Sequence, residues 1–224
     1  MISIEEQKNL LLDIARRIKK QMMIYAIGGT AMMFYGLKET TKDIDLIFLN
    51  QKERDEFMNA AKQIGWNYLN PELVYGDREN KPIMLKFGES RLDLFVKEVI
   101  SFTFSEEMQK RAITIRQFEK NLIVKIADIH DIILMKCAAD RIRDVDDVKT
   151  IVENKEIDFD ILIREAKNQL ALGKERTIME LGYFLEKLKK LGTAIPDKIL
   201  DELWEIMKKQ IKDKQKEEKL KKRK

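Results

Sequence analysis

The chain has 224 residues, 44% of them apolar and 37% charged, with a formal net charge of +4. That apolar share is enough to bury a core, as one large domain or two small ones. Its one cysteine, Cys137, excludes an internal disulfide, and no apolar run reaches the ~20 residues of a membrane helix, so a reducing cytoplasm is the expected compartment.

The first residues are acidic and then amphipathic, without the basic region, apolar stretch and cleavage site of a secretory signal. Ser3-Ile4-Glu5-Glu6 has the form of a capping box, and Leu10, Leu11, Ile14, Ala15 and Ile18 follow at helical spacing. This predicts a helix over 4–20. The apolar run 22–27 reads as a strand that stops at a Gly28-Gly29 turn, with a short helix over 30–35 behind it. A second strand is expected over 43–49 and an amphipathic helix over 52–64. Residues 66–125 read as the rest of a sheet, with a hairpin of strands 82–87 and 91–96 around Gly88-Glu89-Ser90 and two further strands over 112–115 and 122–126.

From Asp128 onward the pattern is helical, with breaks near Asn154, Gly173 and the segment 193–196. The expected organisation is therefore a mixed αβ domain over 1–127, a helical region over 128–207 and a basic tail over 208–224. The tail carries ten Lys or Arg against three acids, so it is strongly positive while the body is slightly acidic. It reads either as a contact for RNA phosphates or as a solvated end, frayed or disordered; the interleaved Glu217 and Glu218 and the lack of aromatics after Trp204 favour the second.

Two features carry chemistry. Asp43 and Asp45 are two residues apart on a strand, so both carboxylates point to one face, about two rises of ~3.3 Å apart. Their apolar neighbours make the strand buried, where two like charges repel and resist desolvation. A divalent cation relieves both, and carboxylate oxygens select Mg²⁺ or Mn²⁺ over zinc. Gly28 and Gly29 let the backbone approach a ligand closely, the first helical N–H groups can meet an anion, and Thr30 adds a hydroxyl. Asp93 is a lone acid between apolar residues on a later strand. His130, the single histidine, and Cys137 read as structural.

Gly28-Gly29, thirteen intervening residues, and Asp43-Ile44-Asp45-Leu46 together resemble the signature of the DNA polymerase β-like nucleotidyltransferase superfamily. The resemblance implies a mixed central sheet flanked by helices and two metal ions held by Asp43, Asp45 and Asp93. It also implies transfer of NMP from an NTP to a hydroxyl with release of pyrophosphate, Asp93 being the proton acceptor beside the attacking hydroxyl. Asp131 with Lys136, then Arg141, Asp144 and Asp147, look like the helical motifs of the abortive-infection (AbiEii-like) nucleotidyltransferases. That group implies a nucleotide-phosphate role for Lys136 and a toxin–antitoxin partner. Read without the resemblance, Lys136 is a solvent-facing lysine, and Asp144 and Asp147 are surface acids pairing with Arg141 or Arg143. The acceptor could be tRNA, a protein side chain or a small molecule. Where the superfamily often has Gly-Ser, this chain has Gly28-Gly29-Thr30. The departure motivates one alternative, a catalytically inactive nucleotide-binding regulator on the same fold. The other is an RNA-binding or antitoxin-like interaction protein that works through its helices and tail.

Overall fold

The elements run, in chain order, β1 (Ile2–Ser3), α1 (Ile4–Ala15), β2 (Met22–Ala26), α2 (Gly28–Phe34), β3 (Thr40–Thr41), β4 (Asp43–Phe48), α3 (Gln51–Lys62), β5 (Asn67–Leu69), α4 (Glu72–Tyr75), β6 (Ile83–Phe87), β7 (Ser90–Val96), β8 (Glu98–Val99), β9 (Phe102–Thr103), α5 (Glu106–Arg111), β10 (Thr114–Phe118) and β11 (Leu122–Ile126). Five helices follow: α6 (Ile129–Ala139), α7 (Ile142–Asn154), α8 (Phe159–Ala171), α9 (Thr177–Lys190) and α10 (Asp197–Lys221). This computed structural model describes residues 1–139 and 141–221. The chain divides within α6 into two compact units, one over Met1–Ile132 and one from Ile133 onward.

The first unit is built on a mixed sheet in the order β10-β11-β2-β4-β7-β6-β5, with β8 and β9 extending from β7. β11 runs parallel to β2 and β4 parallel to β7, while β2–β4 and β7–β6 are antiparallel. This is the mixed αβ architecture expected. Its centre is β4, whose Ile44, Leu46, Ile47 and Phe48 are fully buried. Each such side chain contributes roughly 1.5–3 kcal/mol of hydrophobic stabilisation. Phe48 meets Phe57 of α3 edge to face at 5.3 Å, which fixes that helix on the sheet.

Local signals behave as the residues dictate. The capping box closes α1: Ser3 Oγ accepts from the Glu6 N–H, and Glu6 Oε2 accepts from the Ser3 N–H. The helix stops at Ala15 rather than at residue 20, because the chain must turn into β2, and Asn121 Nδ2 holds the Ile18 carbonyl at 2.7 Å. The β6–β7 hairpin turns on Gly88-Glu89, with Gly88 at φ +56°, a conformation that glycine adopts without strain. Within the stretch read as sheet, α5 is a helix: Ser105 Oγ caps it by accepting from Met108 N–H, Glu106 and Glu107 occupy its first turn, and Lys110 and Arg111 its last. That helix displaces β10 two residues beyond its expected start.

In the second unit, α9 buries Ile178, Leu181, Phe184, Leu185 and Leu188, and α10 buries Ile199, Leu200 and Leu203. Tyr183 and Trp204 join the two helices edge to face at 5.1 Å. The basic segment continues α10 as helix as far as Lys221. Lys208 pairs with Glu205 one turn back, Lys214 pairs with Glu175, and Gln210 Nε2 donates to the Glu175 carbonyl. Among the described residues, no helix is long and apolar enough to cross a membrane.

Candidate active site

The parallel register of β4 and β7 sets Asp43 opposite Arg91 and Asp45 opposite Asp93. Alternation along each strand then delivers all four charged side chains to one face, while Ile44, Leu46, Leu92 and Leu94 are sealed in the core. One carboxylate oxygen from each of Asp43, Asp45 and Asp93 lies within 4.8 Å of the others. Asp93 is fully buried, Asp43 nearly so, and Asp45 partly exposed.

Arg91 lies between two of these acids. Its Nη2 donates to Asp43 Oδ2 at 2.6 Å and to Asp93 Oδ2 at 3.3 Å, and its Nε donates to Asp93 Oδ1 at 3.0 Å. The Tyr75 hydroxyl donates to Asp93 Oδ2 at 2.7 Å. Burial pushes the Asp93 carboxyl above the usual carboxylate range, and the Arg91 charge and the Tyr75 hydrogen bond oppose it only in part. Burial, then the charges of Asp45 and Asp93, push the Tyr75 phenol far above its usual value, so it remains a donor. Burial works against the charged guanidinium of Arg91, but Asp93 and Asp43 outweigh it and raise its pKa. The cluster is thus arranged around positive charge with hard oxygen donors, which fits a divalent cation of the Mg²⁺ or Mn²⁺ type.

The glycine turn abuts this cluster. Gly28 has φ +56°, and a Cβ there would stand 2.9 Å from Asp45 Oδ2, so both conformation and space require glycine. A Cβ at Gly29 would stand 2.8 Å from the Thr41 hydroxyl. Thr41 therefore takes the space that a side chain at 29 would use, and Ile2 of β1 pairs with it. Thr30 is fully buried; its hydroxyl accepts from the Asp45 N–H at 2.8 Å and lies 3.5 Å from the Asp43 carbonyl. It holds the backbone of the strand that carries both acids.

A family model described as "Nucleotidyltransferase of unknown function (DUF6036)" matches residues 1–190. The chain belongs to this nucleotidyltransferase family. Among solved structures, the nucleotidyltransferase is similar to ANT(2″)-Ia in complex with adenylyl-2″-tobramycin, at 14% identity over 81% of this chain and 98% of the other, with a TM-score of 0.45. It is similar also to JHP933 from Helicobacter pylori, at 15% identity over 93% of this chain and 98% of the other, with a TM-score of 0.41. No curated protein matches it.

The remaining expected site residues fall into two groups. Asp131, fully buried at the start of α6, is gripped by Arg111 of α5, Nη2 to Oδ1 at 2.6 Å and Nε to Oδ2 at 3.2 Å. In the second unit Lys136 is buried rather than solvent-facing, and its Nζ donates to Asp144 Oδ1 at 3.1 Å and Asp147 Oδ2 at 2.5 Å. Arg141 Nε adds a bond to Asp144 Oδ2 at 2.8 Å. Asp144 and Asp147 are thus buried partners of Lys136, not surface acids. His130 Nδ1 lies 2.6 Å from Asp128 Oδ1, and Cys137 is buried.

Three residues escaped the sequence reading: Arg91 and Tyr75, which bond the carboxylates, and Thr41, which lies against Gly29. Arg91 had a signal. In Arg91-Leu92-Asp93 it stands two residues before an acid, the same spacing that placed Asp43 with Asp45. Tyr75 had none, since a lone aromatic among polar residues says nothing of what it covers.

Proposed function

We propose that the chain transfers a nucleoside monophosphate from an NTP to a hydroxyl acceptor with release of pyrophosphate. The observation that carries this reading is the convergence of Asp43, Asp45 and Asp93 from two adjacent parallel strands beside the Gly28-Gly29 turn. Asp43, Asp45 and Asp93 would hold the divalent cation, Mg²⁺ or Mn²⁺, which supplies Lewis-acid activation and charge neutralisation at phosphate oxygens when bound. The turn at Gly28 admits a phosphate chain close to the backbone. The acceptor oxygen forms a bond to the α-phosphorus, and the bond from that phosphorus to the pyrophosphate oxygen breaks. Asp93, beside the position the acceptor hydroxyl would take, receives the acceptor proton.

RNA, a protein side chain and a small molecule remain the candidate acceptors, and a toxin-like role in the cytoplasm stays a reading by family analogy. The test offers α-labelled NTPs with Mg²⁺ or Mn²⁺ and a total RNA and protein extract to the wild type and to Asp45→Ala. Label should move with the wild type alone. Transfer by both proteins, or by neither, removes the catalytic reading.

A second reading is favoured by the Arg91 contacts, which engage both oxygens of Asp93. It is a nucleotide-binding regulator without turnover, and its signature is saturable NTP binding in the absence of any pyrophosphate release.

A further inference from the structure

We propose that Arg91 is the resident counter-cation of the acidic cluster and that a divalent ion enters only by displacing it. The proposal rests on the reading that Asp43, Asp45 and Asp93 hold such an ion. Arg91 forks across Asp43 Oδ2 and both oxygens of Asp93, and Tyr75 takes a second position on Asp93 Oδ2. A cation bridging Asp43 Oδ2 and Asp93 would compete with the guanidinium for the same oxygens, because two full positive charges held at contact distance repel each other.

The placement follows from the fold. The register of β4 against β7 sets Arg91 directly opposite Asp43, and the two-residue step along β7 sets it on the same face as Asp93. Arg91 therefore cannot leave the cluster by a shift of backbone. Its side chain, one-fifth exposed, can leave by rotating toward solvent. In the closed arrangement Arg91 neutralises Asp43 and Asp93 through its guanidinium contacts. In the open arrangement it frees them for the ion and keeps a guanidinium at the rim of the site, where a triphosphate carries negative charge. Metal affinity is then reduced by the fraction of molecules with Arg91 open. A contact closed about nine-tenths of the time lowers apparent affinity about tenfold.

The experiment titrates Mn²⁺ alone into the full chain, with free Mn²⁺ followed by electron paramagnetic resonance. The proteins are the wild type, Arg91→Gln, Arg91→Lys and Asp45→Asn. Arg91→Gln should bind Mn²⁺ at least about tenfold more tightly than the wild type. Arg91→Lys keeps the charge but cannot fork two carboxylates, so it should lie between them. It decides the matter alone should the glutamine variant not fold. Mn²⁺ should also raise the melting temperature of Arg91→Gln by more than that of the wild type. Equal or weaker binding by the Arg91 variants, with binding lost in Asp45→Asn, overturns the resident-cation proposal and leaves the metal reading standing. Saturable binding by none of the four removes the metal reading, and the proposal falls with it.

Discussion

Replacing Thr30 by valine tests how the acids are held. The side chain is fully buried, and its hydroxyl accepts the Asp45 N–H at 2.8 Å. β2 ends at Ala26, so beside Asp45 the neighbouring strand has given way to the turn, and Ile27 N–H to Asp45 O at 3.2 Å is the last backbone contact there. Valine keeps the volume and removes the acceptor. A buried N–H left without its acceptor costs about 1–3 kcal/mol, and the extra buried methyl returns at most ~0.8 kcal/mol. The net loss is about 1–2 kcal/mol. In a chain of this size each kcal/mol lowers the melting temperature by roughly 2–4 °C, so a fall of about 2–8 °C is expected by calorimetry. Mn²⁺ affinity should fall as well, because the strand segment bearing Asp45 loses its lateral anchor. Thr30→Ser, which keeps the hydroxyl, should bind Mn²⁺ as the wild type does. A valine variant melting within about 1 °C of wild type with unchanged Mn²⁺ affinity refutes this anchoring role of Thr30.

Three further outcomes follow from the same geometry. Gly28→Ala forces a Cβ onto a left-handed backbone and to within 2.9 Å of Asp45 Oδ2, so stability should fall by about 1–2 kcal/mol in urea unfolding and Mn²⁺ binding should weaken by more than that alone explains. Lys136→Met removes the cation from between buried Asp144 and Asp147; breaking one partner of such a pair costs about 3–5 kcal/mol, read as an early unfolding transition on urea titration. Burial pushes the Asp144 carboxyl up, but the Arg141 hydrogen bond and the Lys136 charge outweigh it and hold the carboxyl below the usual carboxylate range. A depressed folded pKa stabilises the fold fully above the ordinary carboxylate value and loses that contribution as pH falls below it. Melting temperature should therefore drop on acidification below about pH 4, and Asp144→Asn should flatten that part of the profile.

What could be read from the residues was what depends on period alone. Asp43 and Asp45 share a face because strands alternate, and no knowledge of the neighbouring strand is needed to say so. Asp93 was legible as an acid set among apolar residues. Arg91 was hidden although its spacing is the same, because its meaning lies in the register of β4 against β7, a relation between residues 48 positions apart. Lys136 failed for a similar reason. Its spacing to Asp144 and Asp147 is visible in the chain, but a lysine becomes a core residue only when its helix and the next close over it, and nothing local distinguishes it from a solvated one. The helix α5 was lost differently: its cap, Ser105, and its charge gradient were in plain view but were outweighed by the β-rich segments on either side.

The same distinction bears on the chemistry. A pair of acids on a buried strand requires a positive charge, and that requirement follows from the sequence. Which positive charge answers it does not. In this fold part of the answer is covalently attached, since the strand that brings Asp93 to the cluster brings Arg91 two residues ahead of it. The cluster can therefore fold without a metal, with Asp43 and Asp93 already paired to Arg91. A site that needed the ion to fold would lose its cooperative transition in chelator; this one should keep it, and the wild type purified without added metal should melt within about 1 °C with and without chelator. A marked fall in chelator would mean that Arg91 does not neutralise the carboxylates on its own.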